Sequence, residues 1–361
     1  MSPEPRLRGR CRALYCFDVA RTIDLVRAEA TLRTTRRTTF HHKGRFPALR
    51  GVAAPVRVSW HTPAIEIGGE RSDTEVEIAL YDFGAVAITW SHPVEGGLDD
   101  LVRVTGELYD NTTLIARSRE IALELVQQIG EAADRARLHD VVEDYVVFEL
   151  EPVEGGVERL LFESRGDLAR VLRAEEQELS EQEVEDALDS AVSYGRDDVS
   201  LVDWLGALLI GRDTQDERLL LELATVELLE LRVLDAQLDE EMESAYRLLT
   251  TRRSALSGFT TMRREIERIA RTQADDALLH EGIDNALKLF GDDYLARLYH
   301  VSAERFHFDD YDAAIQRKLG VVHSIFESLA GQAAHRRAEV LEWIIILLFA
   351  IDIVLILWPS T

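Results

Sequence analysis

The chain has 361 residues, 46% of them hydrophobic and 30% charged, enough for a sizeable core and two or three structural units. Acidic residues number 66 against 41 basic ones, a formal net charge of −25 that excludes bulk attraction to nucleic acid or to anionic lipid. The two cysteines, Cys11 and Cys16, lie five residues apart in a strand-like stretch and so face opposite sides, which argues against a mutual disulfide or a shared metal and fits a reduced compartment.

The N-terminal MSPEPRLRGR carries charge without a following apolar run, so no secretory signal is expected. Seven of the eight prolines fall at or before Pro152 and the last is Pro359; the uninterrupted stretch between them suits long helices. The first part reads as mixed α and β. A short strand is expected over 14–17, a helix over 22–32, and β-like pieces over 52–60 and 64–67. Residues 75–80 (EVEIAL) alternate, 81–84 (YDFG) supply a turn, and 85–90 (AVAITW) continue, which predicts a hairpin. Helices are expected over 98–109 and 114–129, and a strand over 145–150. Further helices are expected over 167–174 and 181–188, the latter opened by a capping box of Ser180 and Glu183. Two β-like stretches, 190–194 and 199–210, flank the turn Gly195-Arg196-Asp197-Asp198.

From Gln215 the pattern changes to long helix. Leu231, Leu234 and Leu238 follow three–four spacing, with Ala245 and Leu248 beyond an imperfection at Glu241. A second run uses Phe259, Met262, Ile266 and Ile269, and a third Leu287, Phe290 and Tyr294, continuing near Leu298. After a bend at 305–310, Ile315, Leu319, Val322, Phe326 and Leu329 keep one register. Sustained spacing of this kind predicts a coiled-coil seam. The register continues into Val340 and Trp343, so the seam helix is expected to run into the tail, where a change in coil packing would be felt.

That tail, residues 340–358 (VLEWIIILLFAIDIVLILW), is long enough to cross a hydrocarbon core of about 30 Å. Trp343 and Trp358 mark its ends, His335, Arg336 and Arg337 precede it, and its polar side chains are Glu342 and Asp352. The positive-inside rule would keep the chain on the cytoplasmic side. The expected architecture is an α+β N-terminal domain (1–212), a long α-helical coiled-coil hairpin (213–338) and one C-terminal transmembrane helix acting as a tail anchor (339–361). The span would run through Val340, Glu342, Trp343, Asp352 and Trp358.

Four stretches carry a resemblance: 141–150 (VVEDYVVFEL), 193–210 (SYGRDDVSLVDWLGALLI), 225–234 (TVELLELRVL) and 337–355 (RAEVLEWIIILLFAIDIVL). Over roughly residues 75–358 the chain resembles the "required for meiotic nuclear division" family. The hairpin over 75–90 departs from that family's more phenylalanine-rich version. The resemblance implies a membrane-tethered α+β domain with a coiled coil. Mitochondrial relatives suggest inner-membrane scaffolding that supports organellar translation, and fungal relatives are tied to division or sporulation. It implies residence in the plasma (or mitochondrial inner) membrane, and it supplies no catalytic residues.

Residues 31–50 hold six lysines or arginines and no acid, which makes Arg33, Arg36, Arg37, Lys43 and Arg45 an anion-binding candidate. A solvated loop neutralised by the acidic surface explains that stretch as well. His41 and His42 lack an evident third ligand, and His300 and His307 near Glu304, Asp309 and Asp310 only superficially resemble metal spacing. No phosphate-binding loop, nucleophile elbow, HExxH or paired-cysteine motif is present. The sequence therefore points to a membrane-anchored scaffold or interaction protein, a homo-oligomer through coil and span, without a catalytic site, metal or cofactor, and with nucleic acid disfavoured. The alternative is a membrane-proximal enzyme, or a nucleotide- or RNA-binding tether, using the α+β domain.

Overall fold

The computed structural model describes residues 6–34, 39–40, 54–250, 293–325 and 345–349. It divides into two compact units. The first comprises Met1–Val233 and Asp275–Tyr311, the second Leu234–Ala274 and Asp312–Thr361. This division differs from the sequence-based border at 212/213, because the helix that begins at Gln215 starts inside the first unit.

The first unit opens with strand β1 (Leu7–Asp18), the short β2 (Thr22–Ile23), helix α1 (Leu25–Thr34) and β3 (Thr39–Phe40). Strand β4 (Val56–His61), a small hairpin of β5 (Glu66–Ile67) and β6 (Glu70–Arg71), β7 (Glu75–Leu80) and β8 (Ala85–Gly96) follow. Then come α2 (Leu98–Leu108), α3 (Thr112–Ile129), β9 (Ala133–Asp134) and β10 (Val142–Leu150). Helices α4 (Val157–Glu163), α5 (Arg165–Arg173) and α6 (Glu181–Leu188) precede the β11 (Val199–Val202) and β12 (Gly206–Ile210) hairpin. The long α7 (Gln215–Thr250) and α8 (Asp293–Arg305) complete the numbered elements.

Among the described residues the main sheet has eight strands in the order β11-β12-β10-β1-β8-β7-β4-β3. All neighbours are antiparallel except β10 and β12, which run parallel. The central β1 shows why both faces are covered. Leu7, Cys11, Ala13, Tyr15 and Phe17 point into one core, while Leu14 and Cys16 point into the other. Alternating side chains that are apolar on both sides require a layer above and a layer below. Helices α2, α3 and α5 supply the first layer through Leu101, Leu108, Leu114, Ile121, Leu125, Leu168 and Leu172. Helices α7 and α8 supply the second through Leu220, Ala224, Val226, Leu229, Leu298 and Tyr299. The expected α+β arrangement is thereby corrected to an α/β one with a large mixed sheet. Its helices, interleaved with the strands along the chain, clothe both faces of that sheet.

Local signals explain several boundaries. β7 and β8 form the hairpin expected from alternation, closed through residues 81–84 with Leu80 opposite Val86. Gly84 has φ +107, and a Cβ there would collide with the carbonyl oxygen of Ala20, so glycine is required. Ser180 Oγ accepts the Glu183 amide at 3.3 Å and starts α6. The strand expected over 190–194 reduces to one bridge, Val192 to Ser200, because Asp198 bends the chain by accepting the amides of Tyr194 and Gly195. The single stretch expected over 199–210 is a hairpin, β11 and β12. The third expected coil run is also redirected in part: Tyr294 and Leu298 lie in α8 and fill the second core of the sheet. Leu287 and Phe290 lie outside the described residues, as do Phe259, Met262, Ile266 and Ile269.

In the second unit Leu234 and Leu238 of α7 are buried, as are Ile315 and Val322 on the helical stretch 312–325. Leu319 is half-buried, and Lys318 Nζ lies 2.7 Å from both Asp235 and Asp239, two carboxylates one turn apart on α7. This part of the expected seam is thus filled within the chain. Leu231 falls in the first unit, half-buried against its second core. Phe326 and Leu329 lie outside the described residues.

The transmembrane tail anchor, and the single-pass membrane location drawn from it, are corrected. Among the described residues no helix is long and apolar enough to cross a membrane. Of the stretch 340–358 only 345–349 is described, a helical piece of exposed apolar side chains. Val340, Glu342, Trp343, Asp352 and Trp358 lie outside the described residues.

One core residue is polar and unusual. His92 on β8 is fully buried directly across from Cys11, and neither ring nitrogen has a hydrogen-bond partner among the described residues. Burial, reinforced by the nearby Arg10 guanidinium and only partly opposed by Asp73 and Glu107, pushes its pKa down to about 4. The folded state therefore holds a neutral imidazole, whose contribution is complete above pH 6.5 and is lost as pH falls from 6.5 towards 4. The loss amounts to roughly 3 kcal/mol. Glu143, which burial pushes up to about 7 despite Arg232, titrates in the opposite sense above pH 4.5. Comparison with a variant isolates the histidine: denaturant unfolding of His92→Leu between pH 7 and 4 is expected to lack the acid-side loss that the parent shows. Equal slopes in the two proteins would contradict the assignment.

Candidate functional site

The first half of α7 lies on the second face of the sheet, and residues 218–230 are buried without exception. A helix apolar nearly all round would explain that burial, yet this one carries Arg218, Glu222, Glu227 and Glu230 into the interior. The partners of Arg218 and Glu222 come from the strands beneath, whereas Glu227 accepts the Tyr299 hydroxyl of α8 at 2.6 Å. The alternation that points Val56 and Val58 of β4 into the first core points Arg57 into the second, and the same holds for Glu77 on β7 and Arg12 on β1.

Arg57 and Glu222 form a two-pronged fork. Arg57 Nη2 donates to Glu222 Oε1 at 2.6 Å and Nη1 to Oε2 at 3.1 Å, with both side chains almost wholly buried. Arg57 Nη1 also donates to Glu77 at 2.6 Å, and the Tyr81 hydroxyl donates to Glu222 at 2.7 Å. Arg218, one turn before Glu222, lies 3.8 Å from Glu77, 3.5 Å from Glu149 and 3.9 Å from Glu222. Arg12 closes the group, donating to Glu149 at 2.5 Å and to Ser91 Oγ. Burial alone would lower the Arg57 pKa, but the adjoining Glu222 carboxylate reverses this and raises it, so the guanidinium stays charged. Three arginines meet three glutamates. The charge is balanced inside the group, which suits a structural tie between α7 and the sheet better than proton transfer.

A second polar site opens on the surface of the first unit. A cleft of about 770 Å³ is lined by residues of α5, α6, the β11–β12 turn and the end of α8, among them Arg173, Asp186, Asp189, Trp204, Glu304 and Arg305. Its floor is fixed by buried Asp203, which accepts Arg173 Nε at 2.9 Å and lies 3.9 Å from Arg305. Asp186 bridges the same two arginines. Trp204, at the tip of the turn, is 40% exposed, and its ring centre lies 5.5 Å from that of His307.

The sequence-based candidates fall elsewhere. Arg33 is exposed at the end of α1 and pairs with Glu29 at 2.6 Å; Arg36, Arg37, Lys43 and Arg45 lie outside the described residues, as do His41 and His42. His300 is exposed on α8, and His307 sits at the corner after α8 between buried Phe306 and Phe308, 3.3 Å from Asp310. Among the described residues no group of three histidine, cysteine or acidic side chains could hold a metal. Cys11 and Cys16 are free, buried and in opposite cores, and burial raises both thiol pKa values. The ion cluster had a sequence signal: charged residues at inward positions of otherwise apolar strands (VRVSW, EVEIAL) and an Arg–Glu pair four apart in ERLLLELATVELL.

The family described as "Uncharacterized protein MJ0711, N-terminal domain" matches residues 8–217, more than half of the chain and nearly all of the main sheet. The chain belongs to this family. A relative in the same line, "Uncharacterized protein MJ0711" of Methanocaldococcus jannaschii, is 24% identical over 197 residues. That match covers 54% of this chain and 60% of the relative. No solved structure matches. The MJ0711 N-terminal match contains the Trp204 cleft's α5, α6 and β11–β12 walls and ends just before Arg218, so the α7 half of the ion cluster lies beyond it.

The cluster can be tested by a mutant cycle. Glu222→Leu leaves Arg57 short of its main counter-charge in the interior and is expected to cost about 3 kcal/mol or more. Arg57→Leu with Glu222→Leu leaves Arg12 and Arg218 balanced by Glu77 and Glu149, and is expected to recover most of that loss in denaturant unfolding. A double variant no more stable than the single one would contradict a matched pair.

Proposed function

We propose that the protein is a non-enzymatic interaction module that self-associates through the outer side of its helical unit. The observation that carries the reading is the use made of its buried charges. The cations deepest in the fold, Arg57 and Arg218, are engaged by Glu77, Glu149 and Glu222, an arrangement that holds elements together and offers no free acid, base or nucleophile. The helical unit has the opposite character. Its inner side is closed by Leu234, Leu238, Ile315 and Val322, whereas Tyr246 and Val321 are 65% and 45% exposed.

Burying the surface these two side chains still expose, on each of two copies, would contribute roughly 3–7 kcal/mol in gross terms. An association cost of about 4–15 kcal/mol opposes it, so a weak complex is expected. Light scattering on the full chain at tens of micromolar should therefore give a mass of at least two chains. Tyr246→Asp with Val321→Asp should return it to one chain with unchanged circular dichroism. A parent that stays a single chain over that range would remove the self-association reading.

A further inference from the structure

We propose that the cleft beside Trp204 is a binding site for the basic side chain, lysine or arginine, of a partner peptide. The site is independent of the helical unit: all its lining residues belong to the first unit. It is concave, and its volume of about 770 Å³ admits a long side chain with its flanking backbone.

The aromatic wall is the leading observation. Trp204 occupies a two-strand turn, a position that asks for no large ring, and it keeps 40% of its surface in solvent although its neighbours Val202 and Ala207 are buried. His307, 5.5 Å away, gives the indole a second ring as a neighbour at the mouth. An accessible indole beside a polar floor is the preferred seat for a guanidinium or ammonium group.

Charge accounting decides the sign of the ligand. Arg173 and Arg305 are each held by Asp186 and Asp203, and Arg173 also by Glu183, so the two guanidiniums are neutralised where they stand. Glu175, Asp189 and Glu304 remain on the lining, and among the described residues none of the three makes an ion pair. An anion would have to separate both arginines from their carboxylates and then face three more. A cation meets those three carboxylates and the indole without breaking anything. The floor explains the rigidity of the site: Asp203 also receives the Trp204 amide at 2.9 Å, while its own carbonyl accepts the Tyr145 hydroxyl at 2.9 Å, which fixes the turn that carries the tryptophan.

The test is calorimetric titration of the full chain with hexa-arginine and hexa-lysine peptides at moderate salt, with spermine as a compact polyamine for comparison. Trp204→Ala is expected to weaken peptide binding about tenfold, Trp204→Phe to retain most of it, and Asp189→Asn with Glu304→Gln to weaken it by a similar factor. All the positions concerned are at least partly exposed or at the rim, and circular dichroism checks that the fold persists. Glu66→Gln with Glu70→Gln, acids on the β5–β6 hairpin away from the cleft, is the control and should change binding less than twofold. Equal binding by every variant would mean attraction to the acidic surface alone and would overturn the proposal. So would absence of binding, or spermine binding as tightly as the peptides. Because Trp204→Ala leaves the helical unit untouched, its effect and the change in mass expected of Tyr246→Asp with Val321→Asp can fail separately.

Discussion

The fork between Arg57 and Glu222 joins two elements far apart in sequence, an edge-side strand and the long helix that lies across the sheet. Apolar burial attaches that helix. Leu219, Leu220, Leu221, Leu223, Leu228 and Leu229 are all buried, and each contributes roughly 1.5–3 kcal/mol, so their sum far exceeds what a buried ion pair adds in net terms. A helix so rich in leucine, however, would bury almost as much surface if it slid by one turn or rotated. Glu222 does not tolerate that freedom. A shift of one turn, about 5.4 Å, would take its carboxylate away from Arg57 and Tyr81 and leave charges stranded in the interior. The ion cluster sets where α7 sits, and the leucines hold it there.

That placement has consequences for both surfaces of the sheet. With α7 and α8 fixed on the second face, the polar stripe of Arg12, Glu77, Ser91 and Glu149 is largely covered, and the remaining apolar strip of Leu14, Cys16, Tyr145 and Val147 becomes core. The end of α8 then carries Arg305 and His307 towards the β11–β12 turn, where Asp203 and Trp204 wait. The cleft is thus built by elements from the sheet's edge and from the helical layer together. The helical unit, in turn, repeats the same device in small form, with Lys318 held between Asp235 and Asp239 over a buried leucine seam.

Much of the local structure can be read from the chain. The β7–β8 hairpin, the start of α6 at Ser180, the opposed faces of Cys11 and Cys16, and the corner at His307 each rest on a short-range rule, namely alternation, capping or a turn residue. What escapes such rules is non-local. Period-two patterning in β1 does not say that two layers of helices will be needed, and the three–four spacing around Tyr294 and Leu298 fits a sheet-facing helix as well as a coil. Arg57, Glu77 and Glu222 are individually visible as charges at inward positions, but only the register of β4 with β7 brings the first two together, and only the tertiary placement of α7 adds the third. The membrane span expected in the tail rests on hydropathy, on the flanking tryptophans and basic residues and on the family resemblance, and among the described residues there is no membrane-crossing helix to support it. The cleft has no motif at all, since its residues come from four separate stretches between Arg173 and His307.

Closure of the second core and placement of the cleft both require α7 to be an integral part of the sheet's core rather than an appended helix. Native-state hydrogen exchange of the full chain addresses this most directly. If the ion cluster and its leucines lock the helix, the amides of Leu219 to Leu229 should exchange only through global unfolding, with the same free energy as those of β1 and β10. If they exchange through a local opening well below the global stability while β1 and β10 stay protected, α7 is a detachable cover, and Arg57 and Glu222 do not set its position.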